Sequence, residues 1–199
     1  MKTLLGGLLL LLLLAVNANA SSQPGGEQAV LAGGCFWCVQ ADFEKLSGVL
    51  AVEAGYTGGH VPNPTYAQVS AGGTGHAEAV RVWFDPARIS YAQLLDFFWH
   101  HIDPTVQDRQ FCDIGDQYRS AIFYRDENQR RIAAASKTAL QRSGRLPQVY
   151  TEITAAGTFY PAEEYHQDYY RKNPLRYRFY RARCGRDARV AQVWGTQAK

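Results

Sequence analysis

The stretch Ala29-Val30-Leu31-Ala32-Gly33-Gly34-Cys35-Phe36-Trp37-Cys38 reads as a strand, a tight glycine turn and the first turn of a helix. Small apolar residues lead in, and Val39, Phe43 and Leu46 follow at i, i+4 and i+7, the spacing of one helical face. Cys35 is then expected where unpaired backbone N–H groups converge, with the positive end of the helix macrodipole behind them. A thiolate is favoured there and the thiol's pKa is expected to fall. The plainer reading is a buried cysteine acting as a small hydrophobe, but two glycines and two aromatics around a core thiol have no packing logic. Phe36 and Trp37 can flank the sulfur and form a small apolar pocket suited to an S-methyl group. Redox chemistry on sulfur is the expectation.

Toward the N-terminus, residues 1–20 read as a secretory signal peptide. Lys2 supplies the basic start, Leu4 to Val16 the apolar run, and Ala18-Asn19-Ala20 an A-x-A cleavage site. The run is too short for a spanning helix. An uncleaved N-terminal anchor is the alternative; no lipobox cysteine lies near the junction, so lipidation is not expected. Residues 21–28, rich in Ser, Gly and Pro, read as a flexible lead-in. Residues 29–199 have the length of a single domain. The mature chain is expected in the periplasm or outside the cell, as a monomer without stable membrane insertion.

Lys2 is the one charge in residues 1–20, so 20 basic residues face 18 acidic ones in the remainder. That balance suggests neither a nucleic-acid nor a membrane-surface protein, and the arginines from Arg171 to Arg189 read as a solvated face with aromatic packing between. Four cysteines, Cys35, Cys38, Cys112 and Cys184, invite a disulfide reading in an exported protein. A domain of this size has little need of staples, however. A zinc site is weakly supported, because one C-x-x-C pair has no partner pair at ligand spacing. Val39 after Cys38 excludes the usual haem attachment.

Further along, Val49 to Tyr56 reads as a strand and Thr57 to Gly75 as a long loop, which in a compact domain is usually functional. Ala77 to Phe84 alternates as a strand. Ser90 and Gln93 form a capping box before a helix with the apolar stripe Tyr91, Leu94, Leu95, Phe98, Trp99 and Ile102. Tyr118 to Tyr124 reads as a strand, and Asp126 with Gln129 caps a further helix stopped by Gly144 and Pro147. Val149 to Thr154 reads as a short strand, and Glu163 to Tyr170 as a last helical stretch. The mixture implies an α+β two-layer domain.

Glu78 shares a strand face with Val80, Val82 and Phe84. A carboxyl ending that face is desolvated, its pKa is raised, and it can donate a proton to a departing oxygen. If the strand starts later, Glu78 is simply exposed. His76 reads as a loop or supporting residue. Asp113 and Tyr118 lie in a turn running into a strand, and Tyr66 in a Pro-rich loop where a packing anchor is the plainer role.

Taken together, Gly-Cys-Phe-Trp, Gly-Tyr-Thr-Gly-Gly, Pro-Asn-Pro-Thr-Tyr, Gly-His-Ala-Glu and Gly-Asp-Gln-Tyr-Arg-Ser-Ala closely resemble peptide methionine sulfoxide reductase of the A type. Phe159 to Gln167 and Lys172-Asn173-Pro174 extend the likeness over essentially the whole mature chain. The resemblance implies a mixed central sheet with flanking helices around a ferredoxin-like core. It implies Cys35 as nucleophile, Phe36 and Trp37 as the seat of the substrate methyl, and Glu78 as the acid. Tyr66 and Tyr118 match the donors to the sulfoxide oxygen, and Asp113 the family's active-site aspartate. It further implies attack on the S epimer of methionine sulfoxide, free or in proteins, a Cys35 sulfenic acid, and a disulfide recycled by thioredoxin or a thioredoxin-like protein. No bound cofactor or metal is implied.

The departures concern the second thiol. Many members have glycine at the position of Cys38 and carry recycling cysteines in a glycine-rich tail. Here the tail offers Cys184, expected to resolve the sulfenic acid in preference to Cys38, with Cys112 a bystander. The rival enzyme reading is a thioredoxin-like dithiol oxidoreductase using Cys35 and Cys38. A non-catalytic rival is an exported binding module with Cys35–Cys38 and Cys112–Cys184 disulfides.

Overall fold

A computed structural model describes residues 25–195, so the segment read as a signal peptide lies outside the described residues. Strand β1 (Glu27–Gly33) runs into helix α1 (Phe36–Phe43), and β2 (Val49–Thr57) follows. A short helix α2 (Tyr66–Ala71) precedes β3 (Ala77–Phe84) and α3 (Tyr91–Trp99). The hairpin of β4 (Arg109–Gln110) and β5 (Asp113–Ile114) leads through a 3-10 turn at Asp116–Tyr118 to β6 (Ser120–Tyr124). Helix α4 (Glu127–Arg142), β7 (Glu152–Ala155) and β8 (Tyr160–Pro161) come next. Helices α5 (Tyr169–Lys172), α6 (Pro174–Arg183) and α7 (Arg186–Trp194) end the described chain.

Six strands form one mixed sheet in the order β7-β6-β1-β3-β2-β8. The β6–β7 pair is parallel and the other pairs are antiparallel. Because β3 lies between β1 and β2, those two run parallel, joined over the sheet by α1; this split βαβ is the expected α+β architecture. Leu31, Val80, Val82 and Phe84 face a core closed by Phe43 of α1 and Leu94, Leu95 and Phe98 of α3. The opposite face is thinner, with Val30, Ala77, Ala79, Ala121 and Phe123 under Phe159. Among the described residues no helix is long and apolar enough to cross a membrane.

The turn between β1 and α1 permits no side chain. Gly34 has φ +82°, and a Cβ there would lie 2.5 Å from Gln110 Cβ. A Cβ on Gly33 would meet Ile102 Cγ2 at 2.8 Å. Both glycines of the opening stretch are therefore steric requirements of the turn that delivers Cys35.

The structure corrects several expectations. The loop Thr57 to Gly75 contains α2, started by a capping box in which Thr65 accepts from the Gln68 N–H and Gln68 holds the Thr65 N–H. Tyr118 belongs to the 3-10 turn, and β6 begins only at Ser120. The stretch Glu163 to Tyr170 is not continuous helix: Asp168 sits at φ 52°, and α6 and α7 follow it. Pro174 at the first turn of α6 restarts the helix there.

Candidate active site

Cys35 occupies the N-cap of α1 and is 6% exposed, with Phe36, Trp37 and Cys38 following on the first turn. The first helical N–H, that of Phe36, donates to Glu78 Oε2 at 3.0 Å. The sheet places Glu78 there: β3 pairs it with Tyr56 of β2, and it ends the face lined by Val80, Val82 and Phe84. With Glu78 2% exposed, burial pushes its carboxyl up to about 8 against the pull of the Phe36 N–H, so at neutral pH it mostly holds a proton. The expectation of a desolvated acid is met in this geometry.

Cys35 and Glu78 open into a pocket of about 270 Å³. Phe36, Trp37, Tyr66, Asp113 and Tyr118 line it, so the structure brings together every residue read from the sequence as nucleophile, acid, oxygen donor or methyl seat. Tyr66 begins α2, and its N–H donates to Glu163 Oε1 at 2.8 Å. The other oxygen of Glu163 accepts from the Tyr56 phenol at 2.8 Å, so one carboxylate braces two pocket elements. Burial pushes the Tyr66 phenol up to about 12 and raises that of Tyr118, so both remain hydrogen-bond donors. Burial also raises Asp113. His76 braces the loop as expected: it accepts from the Gly59 N–H at 3.1 Å and reaches the Val61 carbonyl at 2.7 Å.

The methyl-seat aromatics are locked from the C-terminal segment. Trp37 stacks on Tyr169 with ring centroids 3.8 Å apart, and its Nε1–H donates to His166 Nδ1 at 3.0 Å. Phe36 packs among Tyr56, Tyr66 and His166. His166 and Tyr169 carry no site signal in the sequence beyond the place of His166 within the stretch Phe159 to Gln167 that extends the family likeness.

The thiols depart from expectation in two ways. Burial, first, raises the Cys35 thiol well above its ordinary range, and the neighbouring Cys38 raises it further, against the fall expected from the helix N-terminus. Cys38, on the same helical turn, is lowered instead, chiefly by the neighbouring Cys35 thiol and further by the guanidinium groups of Arg186 and Arg181. Those arginines also correct the reading of a solvated arginine face. Arg186 is 2% exposed, donates to the Gly33 and His101 carbonyls at 3.2 and 2.9 Å, and stands over the Phe111 ring. Arg181 pairs with buried Asp42 at 2.9 Å.

The second departure concerns Cys184. It is disulfide-bonded to Cys112, while Cys35 and Cys38 are free. Cys184 is therefore not the thiol brought to Cys35, and Cys112 is not a bystander. The physical reason lies in α6: starting at Pro174, it carries Cys184 at its C-cap toward the β4–β5 turn rather than into the pocket. The binding-module pairing is half realised, in its outer bond alone.

Chemically the pocket offers a nucleophilic sulfur, an acid that keeps its proton, two phenol donors and an aromatic seat. A family model described as peptide methionine sulfoxide reductase matches residues 27–198. The chain is similar to the peptide methionine sulfoxide reductase MsrA 2 of Caulobacter vibrioides, at 50% identity over 93% of this chain and 94% of that one. It is similar to the peptide methionine sulfoxide reductase MsrA of Bacillus licheniformis at 51% identity, over 85% of this chain and 94% of that one. Among solved structures it resembles methionine sulfoxide reductase A of Corynebacterium diphtheriae, with TM-score 0.69 and 36% identity over 81% of each chain.

Proposed function

The chain belongs to the peptide methionine sulfoxide reductase family, and from that premise we propose how its own residues divide the work. The enzyme reduces the S epimer of methionine sulfoxide, free or in proteins, to methionine, with no bound cofactor. The observation that carries the assignment is the convergence of Cys35, Glu78, Phe36, Trp37, Tyr66 and Tyr118 on one pocket.

The substrate methyl rests against Phe36 and Trp37, and the sulfoxide oxygen points to Glu78. The Cys35 sulfur attacks the sulfoxide sulfur while Glu78 protonates the oxygen and Tyr66 and Tyr118 hold it by hydrogen bonds. The Cys35 proton passes to the ionised sulfur of Cys38, which lies on the same turn of α1. As the oxygen moves to Cys35, methionine leaves carrying the electron pair, and Cys35 becomes a sulfenic acid. Cys38 then attacks the Cys35 sulfur; the S–O bond breaks, hydroxide leaves with a proton as water, and a Cys35–Cys38 disulfide forms. The place of both free thiols on the first turn of α1, with Cys184 bonded to Cys112, supports Cys38, rather than Cys184, as the resolving partner. A dithiol reductant of the thioredoxin class returns two electrons and two protons by exchange.

The expected signal peptide supports work in the periplasm or outside the cell, repairing exported proteins. Completeness of the pocket within one chain supports a monomer, residues 29–199 being the catalytic unit.

The test is turnover of a mixed-epimer methionine sulfoxide peptide with thioredoxin as reductant. Wild type should consume roughly half the substrate, since one enzyme class serves each epimer. Cys35→Ser should be inert, Cys38→Ser should release about one methionine per chain and stall, and Cys184→Ser should continue to turn over. A stall in Cys184→Ser with turnover retained in Cys38→Ser would return the resolving role to Cys184. Untouched sulfoxide alongside reduction of an insulin disulfide would establish the dithiol oxidoreductase instead.

A further inference from the structure

One carboxylate behind the pocket holds two of the elements around it without facing into it. Glu163 is not a lining residue, yet its Oε1 accepts from the Tyr66 N–H and its Oε2 from the Tyr56 phenol, both at 2.8 Å. Tyr66 is the first residue of α2, so its N–H has no partner within that helix. Tyr56 stands on β2 directly across from Glu78 of β3. Burial works against ionisation, but hydrogen bonds, that of the Tyr66 N–H foremost, hold the Glu163 carboxyl below the ordinary glutamate range. Both contacts are therefore charge-assisted.

The segment that carries Glu163 is itself tied down on both sides. Before it, Pro161 of β8 pairs with Gly55, and the Ala162 N–H donates to the Ala54 carbonyl at 2.9 Å. After it, the Gln167 amide bonds the Ala54 N–H at 2.9 Å and the Ala54 carbonyl at 2.8 Å. Between the two runs a 3-10 turn, Glu164–His166, in which the His166 N–H donates to the Glu163 carbonyl at 2.8 Å. That turn sets the His166 ring against the Tyr66 ring, with centroids 4.2 Å apart. One short segment, fixed to β2, grips Tyr66 twice, at its backbone N–H and at its ring.

We propose that Glu163 is a positioning residue for the reduction, which fixes the start of α2 so that the Tyr66 phenol meets the sulfoxide oxygen. The proposal deepens the reductase reading and rests on it. Glu163 acts through Tyr66, while its bond to Tyr56 orients the carboxylate. The same strand, β2, pairs with the strand that carries Glu78. The carboxyl that protonates the oxygen and the phenol that holds it are thereby registered on one frame. Without Glu163, α2 keeps its Thr65–Gln68 cap but loses its hydrogen bond to that frame. A misplacement of about 1 Å in such a donor is enough to slow a reaction severely.

The experiment is a double-mutant cycle, read as the rate of first methionine release from the reduced enzyme at sub-saturating sulfoxide peptide. That step precedes recycling, so no reductant enters the rate. Tyr66→Phe should slow it at least about tenfold, as loss of an oxygen donor implies. Glu163→Ala should slow it by a similar factor, and adding Tyr66→Phe should then cost less than about twofold more. Glu163→Gln keeps an acceptor for the Tyr66 N–H and should stay within about threefold of wild type. Should Glu163→Ala not fold, Glu163→Asp, one methylene shorter, takes its place in the cycle. Hydrogen exchange at the Tyr66 amide needs no sulfoxide; its protection should fall at least about tenfold in Glu163→Ala and persist in Glu163→Gln. A Glu163→Ala rate within about twofold of wild type, or two costs that simply multiply in the double variant, overturns the assignment. Unchanged protection of the Tyr66 amide, or a Glu163→Gln rate as slow as that of Glu163→Ala, overturns it too. Lost protection in Glu163→Ala, alongside a wild type that reduces no methionine sulfoxide, overturns the reductase reading and leaves the brace standing.

Discussion

As the proposed proton donor, Glu78 is useful only while it carries a proton, and its surroundings decide that. Its carboxyl is pushed up to about 8 by burial, far from the 4.5 of an ordinary glutamate. Turnover that needs the acid form should therefore fall as pH rises through about 8. Folding follows the same sign. Between pH 4.5 and about 8 the folded chain keeps a proton that the unfolded chain releases, so stability is lost as pH rises across that window. The slope from this group is at most about 1.4 kcal/mol per pH unit. Glu78→Gln should remove the slope in urea unfolding and lower kcat by about a hundredfold or more, the usual cost of losing a polarising donor. A Gln variant with unchanged kcat would show that another group protonates the oxygen. The raised Glu78 was legible because its strand alternates. The rise of the Cys35 thiol was not legible, because a helix terminus is visible in the sequence and burial is not.

At the scale of elements, α2 shows how a local signal is hidden by composition. Thr65 and Gln68 form a reciprocal cap, but Pro62, Asn63 and Pro64 before them and Gly72 and Gly73 after them make the segment read as loop. The cap fixes where Tyr66 enters the pocket. Thr65→Ala should cost about 1 kcal/mol in urea unfolding, the value of a lost N-cap. It should also raise KM for the sulfoxide peptide more than it lowers kcat, if Tyr66 holds the substrate oxygen as proposed. An unchanged KM would mean that the Glu163 bond to the Tyr66 N–H suffices to place the ring. The Ser90–Gln93 and Asp126–Gln129 caps were read correctly, because each precedes an uninterrupted helical pattern.

At the scale of the whole molecule, residues 167–186 return to α1 and the strands on either side of it. Gln167 exchanges hydrogen bonds with both backbone groups of Ala54, the Asp168 N–H donates to Gln40, and Arg186 binds the Gly33 carbonyl. The Cys112–Cys184 bond closes a span of 72 residues around this return. In the chain-entropy account, a loop of that length stabilises by up to about 4 kcal/mol. The double variant Cys112→Ser, Cys184→Ser should lower the urea midpoint accordingly, while a single turnover of sulfoxide through Cys35 and Cys38 persists. Loss of that first turnover would mean the outer pair also takes part in the chemistry.

The chain's own sequence determined the thiol at the helix start, the carboxyl at the end of an apolar strand face, the aromatic pair beside the thiol and the strand–turn–helix that carries them. These depend on short-range facts: glycine at a turn, period-two alternation, a thiol at a helix start. Only the tertiary structure decided which thiols pair, which arginines are buried and which phenols line the pocket with Cys35. Those outcomes rest on α6 and α7 folding back over α1, residues 139 to 153 apart in sequence. Such a closure is governed by packing of whole elements and by desolvation, and neither leaves a periodic mark in the residues that undergo it.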